Sequence, residues 1–260
     1  MNANLKRIAS RDNPFFKDLR RLARSARERQ QAGLTLLDGP HLITAYEANR
    51  GPVQNLIVDE SACHQPEIAS LLAGRQALLL PTALFRQAAV VDTPTGIMAI
   101  IPIPLAAGPH PFADSVLLDG IQDPGNVGTL LRTTAAAGFR QVLLSPDCAG
   151  VWSPRVLRAG QGAHFSLDIV VDADLTEFLA GYRGTAAITC LENAVSLYAA
   201  TFSGPMAWVF GSEGRGVKPA VAAAAPLKIC IPMPGGLESL NVSAAAAVCL
   251  FETLRRRLAA

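Results

Sequence analysis

Polar residues in three short segments of this 260-residue chain are the candidates for chemistry. The segments read DGIQDPGN at 119–126, GSEGRG at 211–216 and IPMPGGLESLNVS at 231–243. Carboxylates, amides and hydroxyls of this kind orient ligands and other side chains through hydrogen bonds. The glycines among them let backbone N–H groups approach a ligand closely. Each segment alone also fits a plain turn or a helix cap, so a functional site requires that they meet in space.

The first segment leads into a predicted helix with a single basic residue, Arg132, among small and apolar neighbours. Asn126 is predicted to cap this helix, because a short polar side chain there accepts hydrogen bonds from otherwise unpaired N–H groups. A lone arginine on such a helix usually extends into solvent. If Arg132 instead points inward, it needs an anionic partner such as a carboxylate or a phosphate.

The second segment places Glu213 between glycines. A carboxylate in such a tight turn can orient an arginine or a ribose hydroxyl. The segment is not a P-loop, because no GK[ST] follows, and it lacks the G-x-S-x-G order of a nucleophile elbow. It also lacks the G-x-G-x-x-G spacing of a dinucleotide site, which argues against a dinucleotide-dependent oxidoreductase. A plain glycine turn is the alternative.

The third segment places Ser239, Asn241 and Ser243 directly before a long apolar run with helical periodicity. Asn241 or Ser243 as the N-cap of that helix is the simplest explanation of these polar residues. The other explanation is that they form one wall of a binding site. The two roles are compatible, and the second depends on the other two segments lying nearby.

The elements that carry these segments alternate between strand and helix. Short apolar strands with intervening helices predict a mostly parallel sheet, in which ligands bind beyond the carboxyl ends of the strands. All three segments follow a predicted strand, so we expect them at one edge of the sheet. The predicted strands are 115–119, 141–144, 167–171, 186–190, 207–211 and 228–232, and the predicted helices are 126–138, 153–161, 174–180, 217–223 and 240–257.

The first hundred residues predict a second, smaller α/β unit. Residues 13–30 fit one amphipathic helix capped by Asn13, with Phe15, Leu19 and Leu22 on its buried face. Strands and short helices alternate after it, and residues 101–114 combine Pro, Gly and Ala as a linker does. We therefore predict a domain over 1–105, a linker over 106–113 and a second domain over 114–260.

Charge and cysteine content narrow the class of protein. The net charge is +2, but the first 30 residues carry nine Lys and Arg against three Asp and Glu. This favours a nucleic-acid partner, although a solvated basic helix is the plain alternative. Five widely spaced cysteines predict reduced thiols in a cytoplasmic protein, and four separate histidines argue against a metal site. No run is long and apolar enough to predict a membrane span.

Taken in order, NVGTLLR, FGSEGRGV and IPMPGGLESLNVSAAAAV resemble the three motifs of the SpoU/TrmH family in the SPOUT superfamily. The match covers roughly 114–258 and includes the connecting WSPRVLRAGQGAHF. Members are S-adenosylmethionine-dependent RNA ribose 2′-O-methyltransferases. Residues 1–105 are similar to the N-terminal substrate-binding domain of rRNA-modifying members, a small ribosomal-protein-like α/β unit. The similarity is most specific in the segments ASRDNPFFKDLRRL and LLDGPHLI.

The resemblance implies a C-terminal parallel sheet with a trefoil knot, a homodimer and a bent cofactor held through backbone groups. It assigns the cofactor S-adenosylmethionine to Gly211, Ile231 and Leu240. It also assigns the reaction to Arg132, which would grip the RNA phosphate next to the target ribose. The residues expected to orient Arg132 or the ribose are Asn126, Glu213, Ser239 and Asn241.

The presence of an N-terminal domain helps to distinguish between rRNA and tRNA as the substrate. Minimal tRNA-modifying members of the family lack such a domain, so the resemblance favours ribose 2′-O-methylation of 23S rRNA. A tRNA ribose 2′-O-methyltransferase and a non-catalytic RNA-binding protein remain the alternatives. With three tyrosines and two tryptophans in the chain, structured RNA is a better substrate than a long single strand.

Overall fold

A computed structural model describes residues 4–91, 93–105, 108–191 and 193–259. The chain divides into two compact units, the first made of 1–104 with 152–165 and the second of 105–151 with 166–260. The segment 152–165, which the sequence analysis placed in the second domain, thus packs within the first unit. In the described part of the chain, no helix is long and apolar enough to span a membrane. The domain limits drawn from the sequence stay a prediction about which parts fold on their own.

The first unit contains a five-stranded mixed sheet with the order β1-β4-β3-β5-β2. Strands β1, β4 and β3 are parallel, and β5 runs antiparallel to both β3 and β2. The strands are β1 (Asn4–Arg7), β2 (Leu34–Asp38), β3 (Asn55–Asp59), β4 (Gln76–Leu80) and β5 (Ile97–Pro102), and the helices are α1 (Pro14–Arg24), α2 (Ala26–Ala32), α3 (Pro40–Arg50), α4 (Pro66–Leu72), α5 (Thr82–Ala88) and the later α7 (Pro154–Gly160).

The prediction of one continuous helix over 13–30 is wrong. The chain leaves helical geometry at Ser25, whose backbone is extended and whose hydroxyl caps α2 by accepting a hydrogen bond from the Glu28 N–H at 3.2 Å. Asn13 caps α1 as predicted, accepting from the Phe15 N–H at 3.0 Å. Leu19 and Leu22 are buried as predicted, but the fully buried aromatic residue of α1 is Phe16, and Phe15 is only half-buried.

Helices cover both faces of this sheet, as the alternation of its side chains requires. Leu36 and Ile57 point to the face that α1 and α5 cover, and their neighbours Leu37 and Leu56 point to the face that α3 and α4 cover. Successive side chains of a strand face opposite sides, so apolar runs such as LTLL supply both cores at once.

The second unit contains a seven-stranded parallel sheet with the order β10-β12-β9-β11-β6-β7-β8. This confirms the predicted α/β class, and all six predicted strands are present. The additional strand, β10, has two residues and carries no apolar run that could reveal it. The strands are β6 (Ser115–Asp119), β7 (Gln141–Leu144), β8 (Asp168–Val170), β9 (Thr185–Thr189), β10 (Val195–Ser196), β11 (Met206–Gly211) and β12 (Leu227–Cys230), and the helices are α6 (Pro124–Ala136), α8 (Leu175–Gly181), α9 (Pro219–Ala224) and α10 (Val242–Leu258).

The centre of this sheet determines where the candidate segments emerge. Strands β6 and β11 are neighbours in the sheet, and Gly211 pairs with Asp119 at their carboxyl ends. The segments that follow these two residues therefore begin side by side. Helix α10 packs against α6. The Ser243 hydroxyl donates to the Asn126 carbonyl at 3.4 Å, so the residues that start these two helices also lie close together. The knotted path of the chain stays a prediction.

Candidate active site

The three segments meet at a cluster of three polar side chains in the second unit. The Asn126 amide nitrogen donates to Glu213 Oε1 at 2.9 Å. The Asn241 amide nitrogen donates to the same oxygen at 2.7 Å and to Asn126 Oδ1 at 3.1 Å. Each residue thus contacts both others, although 28 to 115 positions separate them in the chain. The other carboxylate oxygen, Glu213 Oε2, accepts no hydrogen bond within the described ranges and is available to a ligand.

Asn126 reaches this cluster because it is not the N-cap of α6, which corrects the prediction. Asp123 is the cap, and its carboxylate accepts a hydrogen bond from the Asn126 N–H at 2.7 Å. Pro124 occupies the first helical position, so Asn126 lies at the third. Its backbone is satisfied by Asp123, which leaves the Asn126 side chain free to bond to Glu213 and Asn241.

Asn241 combines two roles that the sequence analysis left open. Its side-chain oxygen caps α10, accepting from the N–H groups of Ser243 at 2.9 Å and Ala244 at 3.4 Å. Its side-chain nitrogen makes the two bonds to Glu213 and Asn126 described above. The buried Ser243 hydroxyl adds a contact of 3.3 Å to Asn126 Oδ1. The start of α10 and the polar cluster therefore share one side chain.

Glu213 is positioned by a tight loop that only glycine permits. The Gly216 N–H donates to the Ser212 carbonyl at 2.8 Å, which closes residues 212–216 on themselves. A Cβ on Gly211 would lie 2.1 Å from the Gly216 carbonyl carbon and 2.2 Å from the Val217 nitrogen. Backbone atoms cannot yield at such distances, so Gly211 is the residue that lets the loop fold back onto the end of β11.

A buried carboxylate that the sequence analysis missed holds the far end of this loop. Asp119 is 2% exposed, and its Oδ2 accepts from the Lys218 backbone N–H at 2.7 Å. The Lys218 ammonium lies 3.4 Å from Asp119 Oδ1 and 2.9 Å from Asp147 Oδ2. Hydrogen bonds from Ser145 and then from Lys218 hold the pKa of Asp147 below its usual value. The only signal in the sequence is a carboxylate that ends an apolar strand.

The loop and the cluster border an open cleft of about 470 Å³. The residues that line this cleft include Asn126, Glu213, Asp119, Asp147 and Lys218. Three of these five residues are acids, so a bound anion would need additional cations. The nearest candidates on the same walls are Arg215 and Lys218, and Lys218 is already paired.

Two of the predicted cofactor residues and one predicted ribose ligand line a different, smaller cavity. Ile231, Leu240 and Ser239 surround about 170 Å³ at the carboxyl ends of β9 and β12. The lining is mainly apolar side chains and strand-exit backbone, which suits a flat, largely apolar group such as an adenosyl moiety. The remaining lining residues are Thr189, Cys190, Leu191, Ile229, Met233, Glu238 and Ala245.

Arg132 does not belong to the polar cluster in this structure. It is exposed on α6 and forms no hydrogen bond or ion pair with any residue that the structure describes. The predicted orienting contacts from Asn126 and Glu213 are therefore made to Asn241 and to each other. Arg132 is a solvent-facing guanidinium, and its role in the reaction stays a prediction.

Some basic residues of α1 and α2 are engaged within the first unit and others are exposed. Lys17 and Arg21 pair with nearby acids, Asp12 and Asp18, whereas Arg24 is exposed without an ion pair among the described residues. Arg29, on α2, is also engaged, because its guanidinium donates to the Leu22 carbonyl at 2.7 Å. An open groove of about 710 Å³ runs along α1, lined by Lys17, Arg20, Arg21 and Arg24 among others.

The parallel sheet, the glycine loop and the amide–carboxylate cluster occur in one chain with a unit that carries a basic helix, and this combination fits an RNA-modifying enzyme. The chain belongs to the SpoU rRNA Methylase family, whose model matches residues 114–251. Residues 13–99 match the model of the MRM3-like substrate binding domain. These matches confirm the resemblance drawn from the three motifs and from the N-terminal segment.

Individual relatives share this architecture over nearly their whole length. The 23S rRNA (guanosine(2553)-2′-O)-methyltransferase RlmP of Bacillus subtilis is 31% identical over 95% of this chain and 98% of its own. A solved RNA 2′-O ribose methyltransferase is 30% identical, with a TM-score of 0.83, over 97% of this chain and 100% of its own. The AdoMet-bound rRNA methyltransferase of Sinorhizobium meliloti is 25% identical, with a TM-score of 0.83, over 98% of both chains.

Proposed function

We propose that this protein is an S-adenosylmethionine-dependent methyltransferase that modifies a ribose 2′-hydroxyl in 23S rRNA. The observation that carries the proposal is the hydrogen-bonded cluster of Asn126, Glu213 and Asn241, in which each of the three family motifs contributes one residue. Relatives with the same two-part architecture, such as the B. subtilis protein, act on 23S rRNA.

The residues around the predicted cofactor position fit S-adenosylmethionine. Ile231 and Leu240 offer an apolar cavity for the adenosyl part, and strand-exit backbone groups supply hydrogen bonds. The space beside Gly211 is filled by the backbone of Gly216 and Val217, so the predicted cofactor-binding loop can fold back here only because Gly211 has no side chain. When bound, the cofactor supplies a methyl group that is already activated by its sulfonium. The chain itself must then orient the ribose and manage the hydroxyl proton.

Arg132 has the role of binding the phosphate next to the target ribose. Its side chain is exposed and forms no hydrogen bond or ion pair in the described structure, and a guanidinium presents a planar fork of donors that suits a phosphate. A permanent cation is a poor base but a good stabiliser of the negative charge that develops on the 2′-oxygen. The proton leaves to the RNA phosphate or to water.

The polar cluster has the role of an orienting surface. Asn126 and Asn241 fix Glu213 through one carboxylate oxygen, so its free Oε2 can accept a hydrogen bond from the ribose or from Arg132. Ser239 is exposed at the cofactor cavity and can donate to the ribose. Preorganised groups of this kind raise the rate without reorganising during the reaction.

Features of the rest of the chain support the proposed partners and location. The groove along α1 provides phosphate contacts for rRNA. Helix α10 exposes Phe251 and Leu258 by 46% and 80%, which supports a homodimer through this helix. The five cysteines form no disulfide in the described ranges, as expected for a cytoplasmic enzyme.

The experiment is methyl transfer in vitro. The purified protein is incubated with S-adenosylmethionine carrying a labelled methyl group and with unmodified 23S rRNA or bulk tRNA, and digested nucleosides are analysed. The proposal predicts label on the ribose of rRNA. Label on tRNA ribose would make the protein a tRNA 2′-O-methyltransferase, and binding of RNA without transfer to either would make it a non-catalytic RNA-binding protein.

A further inference from the structure

Three amide side chains form a row across the edge of the sheet in the first unit. Asn4 opens β1 and pairs with Gln76, which opens β4. Leu56 pairs with Ala77, which places the preceding residue, Asn55, beside Gln76 on β3. Residues at one level of neighbouring parallel strands point to the same face and lie about 4.8 Å apart. The three amides therefore stand side by side, on the same face as α1.

These amides line a pocket of about 310 Å³ together with Gln54, Lys6 and Phe15. Phe15 is half-buried and packs against the core under α1, so its ring has a fixed position. None of the four amide groups forms a hydrogen bond with another described residue. All four side chains are exposed, and the chain has 17 Asn and Gln residues in all, so four of them in one concave site are a local concentration.

The chemistry of this pocket matches a nucleobase. A side-chain amide presents a donor and an acceptor together, which complements the edge of a base, and an aromatic face supports stacking. The lining contains Lys6 but no acid. Phe15 belongs to this pocket, and its neighbours Pro14 and Lys17 belong to the basic groove of α1, so a base and its phosphates can be bound at once.

We propose that this amide pocket binds an unpaired nucleobase of the substrate RNA while α1 contacts the adjoining phosphates. The proposal rests on the proposed function for the identity of the RNA. It gives the first unit a means of distinguishing RNA with exposed bases from uniform duplex, which phosphate contacts alone do not provide.

The test is RNA binding by the full chain with Asn55 and Gln76 both replaced by alanine. The probes are two labelled RNAs of equal length, a 23S rRNA stem-loop and a fully paired duplex. We expect the variant to bind the stem-loop about tenfold more weakly, as for the loss of one base contact, and to bind the duplex like the wild type. The matched control replaces Gln30 and Gln31, exposed amides of α2 outside the pocket, and should leave both affinities unchanged.

Two results would overturn the proposal. One is unchanged binding of both RNAs by the Asn55→Ala, Gln76→Ala variant. The other is an equal loss for stem-loop and duplex, because this would mean that the amides contact only the backbone. Both results are independent of catalysis. Failure of the proposed function would instead appear as absent methyl transfer by the wild-type protein.

Discussion

Asn241 donates a hydrogen bond of 2.7 Å to Glu213 from the same side chain whose oxygen caps α10. The bond joins the loop after β11 to the start of the last helix, and Asn126 completes the triangle. Site geometry and helix stability are therefore linked through one residue. They can be separated by substitutions that keep one of the two functions.

Replacement of Asn241 by serine should separate the two roles. Serine is a good N-cap, but its side chain is too short to keep the bond to Glu213. We expect Asn241→Ser to unfold near the wild-type temperature and to lose about 10- to 100-fold in kcat, as for misplaced catalytic groups. Asn241→Ala should lose a similar factor in kcat and also about 1 kcal/mol of stability. Equal kcat for Asn241→Ser and the wild type would show that the Glu213 bond is dispensable.

The two glycines at positions 211 and 214 should respond oppositely to alanine. A Cβ at Gly211 collides with backbone atoms at 2.1 and 2.2 Å, whereas a Cβ at Gly214 meets nothing within 4 Å. We expect Gly211→Ala to abolish S-adenosylmethionine binding in titration calorimetry, because the loop must move. Gly214→Ala should bind the cofactor within twofold of the wild type. Tight binding by both variants would contradict the placement of the cofactor beside Gly211.

Arg132 should matter for activity and not for folding. It is exposed and forms no hydrogen bond or ion pair in the described ranges, so Arg132→Ala should change the free energy of unfolding by less than about 0.5 kcal/mol. Loss of a charge-stabilising donor should lower kcat by about 10²- to 10³-fold. The control is Arg183→Ala, which removes another exposed arginine of the same unit. Near-normal methyl transfer by Arg132→Ala would remove Arg132 from the mechanism.

Asp38 should give the stability of the first unit a distinct pH dependence. Burial raises the pKa of this carboxyl to about 6, against the opposing effect of Arg158. As the pH rises from about 4 to about 6, the unfolded chain loses this proton and the folded chain keeps it. The free energy of unfolding therefore falls over this range and stays at the lower value above it. We expect the free energy of unfolding of Asp38→Asn, measured with urea, to lack this dependence. The difference between wild type and variant should change by up to about 3 kcal/mol between pH 4 and pH 7. Parallel pH curves would show that Asp38 titrates normally in the fold.

The sequence predicts the strands well, because each is an apolar run bounded by turn residues, as SVLLD and QVLLS illustrate. It predicts local polar features less well. Asn126 has the residue type of a cap, but Pro124 favours the first helical position and so makes the preceding Asp123 the better cap. The break at Ser25 was missed because the basic and apolar periodicity continues across it.

For the candidate site as well, sequence motifs predict some features, and contacts between residues far apart in the chain produce others that they cannot predict. Asn126, Glu213 and Asn241 were predicted to act together because of the family motifs, and the structure brings them into contact. The bond between Asp119 and the Lys218 backbone joins residues 99 positions apart, and no local pattern encodes it. The packing of 152–165 within the first unit is likewise a tertiary outcome that strand and helix periodicity cannot show.

The most direct measurement maps ribose 2′-O-methylation in 23S rRNA from cells with and without this protein, and from cells that carry only the Arg132→Ala form. The account predicts one 2′-O-methylated nucleotide that disappears when the protein is removed, returns with the wild-type gene and stays absent with Arg132→Ala. An unchanged set of 2′-O-methylated nucleotides in 23S rRNA, or a loss confined to tRNA, would contradict it.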